Sequence, residues 1–326
     1  MRRITNDLNI DPIIATWLAS DTYTGSGKGK YISATTLLRS TQQQVLGHKI
    51  SNSDNIIEQV DISTLLKSSI GTALHKAIQD SWESEPVRTK ALQCLGISED
   101  KIARIKVNPE NPDPDDINLF FEKRVNKEFK GWTISGQFDL VANGVLHDFK
   151  STSTYTYVNK TKEKDYALQG SIYRWLNPEL ITRDIIKIHY IFTDWNKNYA
   201  LSNPDYPKCP FVTVDYPLLS IQEIENYMTE KLINLDYFLE NPEVALPVCD
   251  NKTLMIDDVW QYFSSPTSVK ASKNFSTEGE AYTYLAAKGG KGIIKKKEQT
   301  PKGCEYCGCR GVCSQYKQFV EKGLAV

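Results

Sequence analysis

The sequence predicts an α/β protein, because runs typical of β-strands alternate along it with stretches of helical periodicity. An Asn-Gly pair at 143–144 separates two β-rich runs, and further strand-like runs follow at 185–195 and 210–218. Residues 62–84 and 166–176 instead space their apolar side chains as a helix with one buried face does. At 326 residues the chain is long enough for one large α/β domain with additions, or for two small domains.

The stretch ISGQFDLVANGVLHDFKST, residues 134–152, predicts a β-hairpin. Asn143-Gly144 is the strongest short-range signal for a two-residue turn, because both turn residues must adopt positive φ. A turn of that length places Asp139 directly opposite Asp148. Like charges in that position destabilise a strand pair, and a cation held between them is the simplest remedy. Oxygen ligands of this kind suit Mg²⁺ or Mn²⁺.

Alternation along the two strands predicts one polar and one apolar face. Gln137 and Lys150 lie on the same, polar face as the two aspartates. The apolar side, expected to face a core, consists of Phe138, Leu140, Ala142, Val145 and Phe149. The alternative is a solvated hairpin, in which the acids face water and Lys150 is a local counter-charge. The register across the turn, together with the apolar opposite face, favours a site built for chemistry.

The segments before the hairpin are predicted to be mainly helical. Residues 31–47, YISATTLLRSTQQQVLG, indicate one helix with Ser33 as its N-cap. In the helix at 62–84, His75 lies at the edge of the apolar stripe, where a histidine is more often structural than functional. A loop rich in Pro and Asp at 107–118 then separates these helices from the sheet.

The segments after the hairpin predict two more helices. Asp165 is a candidate N-cap for the helix at 166–176. Gln169 and Tyr173 are four residues apart in it and therefore project from one side. A longer helix is expected at 220–241.

The balance of charge excludes a molecule that binds nucleic acid over its whole surface. The chain has 39 basic and 40 acidic residues, so any DNA contact must come from a local patch. The clearest candidate is the segment KGGKGIIKKKEQTPKG, whose lysines are Lys288, Lys291, Lys295, Lys296 and Lys297. A run of lysines is otherwise a solvated surface. No apolar run approaches the length of about 18 residues that a membrane span needs, so we expect no membrane partner and no export.

Four of the seven cysteines fall within ten residues near the end of the chain. This distribution argues against a disulfide scaffold in a protein of this size. It fits a reduced, cytoplasmic setting with a metal or redox site better.

These features, taken in order, resemble the PD-(D/E)xK nuclease superfamily in its RecB-like branch. The resemblance rests on Gly136-x-x-Asp139, Asp148-Phe149-Lys150, Gln169-x-x-x-Tyr173, His75 on an earlier helix, and the C-x₂-C-x₅-C tail, and it spans roughly residues 31–317. It implies a mixed central sheet flanked by helices, with a Cys-rich C-terminal metal-binding tail. The implied division is a lead-in segment at 1–30, a nuclease core at 31–245, and a C-terminal extension at 246–326.

The resemblance also implies roles for the matching residues. Asp139, Asp148 and His75 would bind a divalent metal, Mg²⁺ or Mn²⁺, and the backbone carbonyl of Phe149 would join its shell. Lys150 would polarise the attacking water. Gln169 and Tyr173 would approach the active site and the nucleic-acid backbone. Glu122 occupies about the position of an additional acid near the active site. Without the resemblance, we would interpret it as an ordinary surface glutamate.

In this branch Cys304, Cys307 and Cys313 have the spacing of three of the four thiolate ligands of a 4Fe–4S cluster. The first ligand usually lies in the segment that corresponds to 31–47, but no cysteine precedes Cys94 here. The fourth thiolate could come from Cys309, Cys94, Cys209 or Cys249. Four thiolates could equally bind Zn²⁺. In either case the metal would fasten the carboxy terminus to the nuclease domain.

The function predicted on these grounds is metal-dependent hydrolysis of DNA, with an exonuclease in recombination, repair or phage DNA processing as the favoured class. DNA and other recombination or replication proteins would be its partners, in the cytoplasm of a bacterial or phage-infected cell. One alternative is a non-catalytic nucleic-acid-binding protein with a zinc or iron–sulfur module. A weaker one is a thiol redox protein that uses Cys304 and Cys307, but no thioredoxin-like context surrounds that pair.

Overall fold

The computed structural model describes residues 2–20, 27–53, 58–256, 259–297 and 300–325. It is mixed α/β, with several sheets flanked by helices. The helices are α1 (Pro12–Ala19), α2 (Ala34–Leu37), α3 (Thr41–Ser51), α4 (Leu66–Glu83), α5 (Glu85–Cys94), α6 (Glu99–Ala103), α7 (Thr154–Val158), α8 (Glu163–Leu176), α9 (Lys197–Ser202), α10 (Ile221–Glu240), α11 (Asn251–Leu254), α12 (Glu278–Ala287), α13 (Lys302–Glu305) and α14 (Ser314–Glu321). The strands are β1 (Arg2–Thr5), β2 (Tyr31–Ser33), β3 (Glu58–Asp61), β4 (Ile105–Val107), β5 (Ile117–Phe121), β6 (Arg124–Phe129), β7 (Trp132–Gln137), β8 (Leu140–Ala142), β9 (Val145–Thr152), β10 (Ile185–Phe192), β11 (Phe211–Pro217), β12 (Trp260–Phe263), β13 (Lys273–Phe275) and β14 (Ile293–Lys296).

The chain divides into two compact units. The larger unit comprises Ile4–Leu38 and Val60–Glu240, and the smaller comprises Met1–Arg3, Arg39–Gln59 and Asn241–Val326. The boundaries that we drew after residues 30 and 245 stay a prediction.

The larger unit is built on a six-stranded sheet in the order β11-β10-β9-β8-β5-β4. Its β9–β10 and β4–β5 pairs are parallel and the other pairs are antiparallel, so the sheet is mixed. A separate three-stranded sheet has the order β2-β7-β6. The strands predicted at 185–195 and 210–218 are confirmed as β10 and β11.

The predicted hairpin joins β8 to β9. Asn143 and Gly144 both have positive φ, at 50° and 76°, and the predicted register is confirmed from Ala142–Val145 to Leu140–His147. Asp139 lies just outside β8, in the bend that follows β7.

The apolar side of the hairpin faces a core, as predicted, since Leu140 and Phe149 pack with Ile105 in an apolar cluster. The side of the two aspartates is covered as well, because Leu146 and Asp148 are only 0% and 1% exposed. Both faces of this central strand pair thus lie against other parts of the chain. The solvated alternative, in which the acids face water, does not hold for Asp148.

The prediction of a single helix at 31–47 is wrong. Ser33 does cap a helix, because its Oγ accepts a hydrogen bond from the backbone N–H of Thr36. That helix ends after one turn, and Ser40 then begins α3 with a capping box closed by Gln43. Two N-caps within one short segment thus outweigh the continuous apolar periodicity.

The other helix predictions hold with small shifts of their ends. A 3₁₀ turn at Ile62–Leu65 leads into α4, and α10 lies within one residue of its predicted bounds. The helix after the hairpin begins at Glu163, so Asp165 lies in its first turn and is not its N-cap. A carboxylate there still interacts favourably with the positive end of the helix dipole.

Gly136 explains how α8 packs against β7. A Cβ at this position would lie 2.5 Å from Cδ1 of Leu176 and 3.0 Å from Cδ1 of Tyr173. Any side chain at this position would therefore require Leu176 or the helix itself to move. The motif glycine thereby positions the helix that presents Gln169 and Tyr173.

The smaller unit contains α3, α11 to α14 and the antiparallel sheet β13-β12-β14. Cys309 and Cys313 form an apolar cluster with Leu46 of α3. Across the described ranges, no helix is both long and apolar enough to cross a membrane.

Candidate active site

The structure brings the predicted site residues of the larger unit to one cleft of about 820 Å³. Four parts of the fold contribute these residues: α4, the β5–β6 connection, the β8–β9 hairpin with the bend before it, and α8. The predicted residues that line the cleft are His75, Glu122, Asp139, Asp148, Lys150, Gln169 and Tyr173.

The acidic residues of this cleft follow from the strand register. β5 pairs with β8, and β6 pairs with β7, at one common offset, with Phe121 opposite Leu140 and Arg124 opposite Gln137. Glu122 is therefore opposite Asp139, and its backbone N–H donates a hydrogen bond to the Asp139 carbonyl at 3.1 Å. Asp139 thus has one acidic residue, Glu122, beside it and another, Asp148, on the opposite side.

Glu122 occupies a backbone conformation that a glutamate rarely adopts, with φ at 50°. It stands where the strand leaves the six-stranded sheet and enters the three-stranded one. Its Oε2 accepts a hydrogen bond from Nε2 of Gln137 at 2.6 Å, which fixes the carboxylate at the cleft. Unusual backbone conformations of this kind are concentrated at functional sites.

Three potential ligands lie close together, and two of them contact the backbone of Phe149. The ligand atoms of His75, Glu122 and Asp139 all lie within 4.8 Å of one another. Asp139 Oδ2 accepts the N–H of Phe149 at 2.8 Å, while Nε2 of His75 lies 2.8 Å from the Phe149 carbonyl oxygen. Because a carbonyl only accepts, this contact places a proton on Nε2. In the neutral ring, Nδ1 then presents a lone pair, 3.5 Å from Asp139 Oδ2.

Asp148 and Lys150 form a second, buried part of the site. Nζ of Lys150 lies 2.6 Å from Oδ2 of Asp148, whose side chain is 1% exposed. Apart from this ion pair, neither carboxylate oxygen of Asp148 has a hydrogen-bond partner within the part of the chain that the structure describes. A buried carboxylate oxygen without a donor is costly. Oδ1 of Asp148, which is not part of the ion pair, is therefore suited to bind a ligand that the fold itself does not supply.

The electrostatics point the same way. Burial and the nearby Asp148 raise the pKa of Asp139 well above its ordinary value. Burial also raises the pKa of Glu122, although the hydrogen bond from Gln137 opposes the shift. Burial disfavours the charge of Lys150, but Asp148 and Asp139 outweigh it and raise the pKa of Lys150. The site therefore holds more acidic groups than its cation neutralises.

Gln169 and Tyr173 lie at the side of the cleft formed by α8. Nε2 of Gln169 donates to the phenol oxygen of Tyr173 at 2.9 Å, and both side chains are buried. Burial, with Asp148 adding to it, raises the pKa of Tyr173, so the phenol stays protonated at neutral pH. Its O–H is thus available as a donor.

Arg124 is a site residue that the sequence reasoning missed. It lines the same cleft, and its Nη2 donates to Oε1 of Gln137 at 2.6 Å. Gln137 in turn donates to Glu122, so a chain of hydrogen bonds links an exposed cation to the acidic residues. The register of β6 on β7 could have predicted this position, since Arg124 pairs with Gln137 across the two strands.

The remaining predicted residues lie in the smaller unit. The cysteines Cys249, Cys304, Cys307, Cys309 and Cys313 line one small pocket there. Cys94 and Cys209 belong to the larger unit and are exposed.

The five predicted lysines of the smaller unit are all exposed. Three of them lie over aromatic rings: Lys288 over Tyr284, Lys295 over Phe263, and Lys296 over Trp260.

No protein-family model and no curated protein sequence matches this chain. Among solved structures, it is similar to the crystal structure of SSO0001, with a TM-score of 0.38 and 13% identity over 70% of this chain and 85% of that one. It is also similar to a phage-related exonuclease from Haemophilus somnus 129PT, with a TM-score of 0.26 and 17% identity. That match covers 38% of this chain and 61% of the exonuclease, so the chain spans less than two thirds of that relative.

Proposed function

We propose that this protein is a divalent-metal-dependent nuclease that hydrolyses phosphodiester bonds in DNA, and that it acts as an exonuclease. The observation on which the proposal rests is the row of three acidic residues, Glu122, Asp139 and Asp148, beside the buried Lys150. Such a row is unfavourable by itself and becomes favourable around a cation.

The donor set fits Mg²⁺ or Mn²⁺. Carboxylate oxygens of Glu122, Asp139 and Asp148 would hold the ion, together with Nδ1 of His75 and the carbonyl oxygen of Phe149. That carbonyl already contacts His75, but a carbonyl oxygen has two lone pairs and can accept twice. When bound, such a cation lowers the pKa of water and neutralises charge that develops on phosphate oxygens.

Lys150 acts as a charged donor in this proposal. Because Asp148 and Asp139 raise its pKa, it stays protonated at neutral pH and cannot serve as a general base. It can hydrogen-bond the attacking water or a phosphate oxygen, where a fixed positive charge is most effective in a water-poor site. Asp148 holds its ammonium group in place at 2.6 Å.

The neighbouring side chains offer donors to the DNA backbone. The phenol of Tyr173 and the guanidinium of Arg124 both line the cleft. Phosphate contacts of this type position a substrate without reading its sequence.

The test is cleavage of end-labelled single- and double-stranded DNA with Mg²⁺ or Mn²⁺. We expect Asp148→Asn and Lys150→Ala to abolish cleavage. The matched controls are Asp215→Asn and Lys187→Ala, because these two residues form an exposed Asp–Lys pair on the same sheet, with Nζ 2.8 Å from the carboxylate. The controls should cleave like the wild type.

Two outcomes would count against the proposal. A folded wild type that cleaves no DNA with any divalent metal would favour a protein that only binds nucleic acid. Full activity in Asp148→Asn and Lys150→Ala would place any cleavage elsewhere in the protein.

A further inference from the structure

Five cysteines line the pocket of the smaller unit, one more than a tetrahedral thiolate site uses. Three of them, Cys304, Cys307 and Cys313, share the C-x₂-C-x₅-C segment. The open question for this site is whether the fourth thiolate is Cys249 or Cys309.

The backbone of Cys249 is fixed to the segment that contains Cys313. The Gln315 side chain accepts the N–H of Cys249 at 2.9 Å and donates to its carbonyl oxygen at 3.3 Å. Gln315 lies in the first turn of α14, which begins directly after Cys313. This two-point amide contact sets the position of Cys249 relative to Cys313.

A second attachment links Cys249 to the segment that contains Cys304. Helix α11 starts two residues after Cys249 and packs on α13, which contains Cys304. A Cβ on Gly303 would lie 2.2 Å from the carbonyl oxygen of Thr253 in α11, so this packing requires a glycine. Cys249 is thus held from both sides by the elements of the other cysteines.

The sulfur atoms of Cys249 and Cys309 have different surroundings. Sγ of Cys249 is half-buried at the pocket and lies 3.0 Å from Oε1 of Gln42 and 3.3 Å from Oγ of Ser40. Its partners are small polar groups, which a thiol can exchange for a metal.

Cys309 instead packs against a helix. It is 4% exposed, and its Sγ lies 3.6 Å from the carbonyl oxygen of Gln43 in α3. A Cβ on Gly47, one turn further along α3, would lie only 4.0 Å from the same sulfur. Leu46 is a neighbour of Cys309 in the apolar cluster, as it is of Cys313. The Cys309 thiol also shares a side-chain hydrogen bond with Cys307, so its place is beside a ligand sulfur, against α3.

The sulfur of Cys307 also has a donor from α3. Nε2 of Gln43 lies 3.7 Å from it and donates to it. Donors to a ligating sulfur are typical supports of thiolate metal sites.

We propose that Cys249 is the fourth ligand of a metal centre formed with Cys304, Cys307 and Cys313, and that Cys309 is not a ligand. Four thiolates suit either an iron–sulfur cluster or Zn²⁺, and binding would release the thiol protons. This assignment does not rest on the nuclease proposal, since it concerns residues of the smaller unit alone.

The test uses the full chain, purified without oxygen and, where needed, reconstituted with ferrous iron and sulfide or with Zn²⁺. Iron, acid-labile sulfide and zinc are quantified, and the visible absorption spectrum identifies a cluster. We expect Cys249→Ser to lose the metal and Cys309→Ser to keep the wild-type stoichiometry. Cys94→Ser and Cys209→Ser are controls for exposed cysteines of the larger unit, and both should keep the metal.

A labelling experiment covers the case in which Cys249→Ser does not fold. Iodoacetamide should modify Cys249 of the wild type only after a chelator has removed the metal, whereas Cys94 and Cys209 should react in both states. Equal labelling of Cys249 with and without metal would overturn the assignment. So would a wild type that binds neither iron nor zinc after reconstitution, or loss of metal in Cys309→Ser with retention in Cys249→Ser.

Discussion

Glu122 lies directly opposite Asp139, and its backbone N–H donates to the Asp139 carbonyl at 3.1 Å. This relationship places a third acidic residue beside the two that the hairpin brings together. Because burial raises the pKa of Glu122, its carboxylate would gain from a nearby cation, as that of Asp139 would. Glu122 is thus a ligand candidate of the same rank as the hairpin aspartates.

Replacing Glu122 by Gln should weaken metal use and leave the fold intact. The amide oxygen can still accept the hydrogen bond from Gln137, so only the charge is lost. We expect cleavage at limiting Mg²⁺ to fall by about 10- to 100-fold, with partial recovery at high Mg²⁺. A Mg²⁺ titration of the cleavage rate measures this effect.

Glu128→Gln is the matched control, because Glu128 is an exposed glutamate on β6 that bonds Thr133. It should show the wild-type Mg²⁺ dependence. If Glu122→Gln also did, Glu122 would be excluded from the metal shell.

Asp139→Asn should stabilise the metal-free protein at neutral pH. An acid with a raised pKa in the fold contributes stability that is fully present below its unfolded pKa, near 3.8, and is lost as pH rises through the native pKa. Asparagine removes this loss and can still accept the N–H of Phe149. The gap in Tm between variant and wild type should therefore be small at acid pH and widen towards neutral pH.

Thermal melts from pH 4 to 8 in the presence of a chelator test this expectation, with about 2–4 °C in Tm for each 1 kcal/mol in a domain of this size. Asp215→Asn, at an exposed aspartate, should show no comparable widening. Addition of Mn²⁺ should close the gap or reverse it, because only the wild type gains the ion. A gap that does not depend on pH would mean that Asp139 is not under electrostatic stress.

The local parts of this architecture could be predicted from the sequence. The Asn143-Gly144 turn sets the β8–β9 register by itself, because a two-residue turn allows only one pairing. Glu122 was predicted only weakly, as an additional acid that the family resemblance implies, although its position opposite Asp139 also had a local signal in the sequence. Lys130 and Gly131 form a second turn with positive φ at both residues, and this turn determines that β6 and β7 pair Arg124 with Gln137.

Other features depend on contacts between distant segments and had no local signal. Burial of the polar face of the hairpin depends on how the rest of the chain packs against β8 and β9. The alternation of residues within one strand therefore cannot predict it. Cys249 lies at the same pocket as the other cysteines because Gln315 and the packing of α11 on α13 hold it there. The break between α2 and α3 was local, but its capping box was hidden inside a segment of continuous helical periodicity.

Gly136→Ala should destabilise the protein by about 1–3 kcal/mol, since the added methyl group would be 2.5 Å from Cδ1 of Leu176, so that this buried side chain, or α8 with it, has to shift. The same methyl group would lie 3.0 Å from Cδ1 of Tyr173 and displace its ring in the cleft, so cleavage should fall together with Tm. Gly279→Ala is the control, because no atom lies within 4 Å of a Cβ built at that helical position. Denaturant unfolding of both variants gives the comparison, and a fully stable Gly136→Ala would contradict the close packing.

Removal of lysine charge from the smaller unit should weaken DNA binding without affecting the acidic cleft of the larger unit. Lys295 and Lys297 are two residues apart and both exposed, so their side chains point to the same side of β14 and its extension. In an Asp148→Asn background, where DNA stays intact, we expect Lys295→Gln with Lys297→Gln to raise the Kd for DNA. The slope of log K against log salt should decrease in magnitude by about 0.7–0.9 for each phosphate contact that is lost.

Lys317→Gln with Lys322→Gln removes the same charge from exposed positions in and just after α14 and should leave the slope unchanged. Equal slopes in the two double variants would show that these lysines form only a solvated surface.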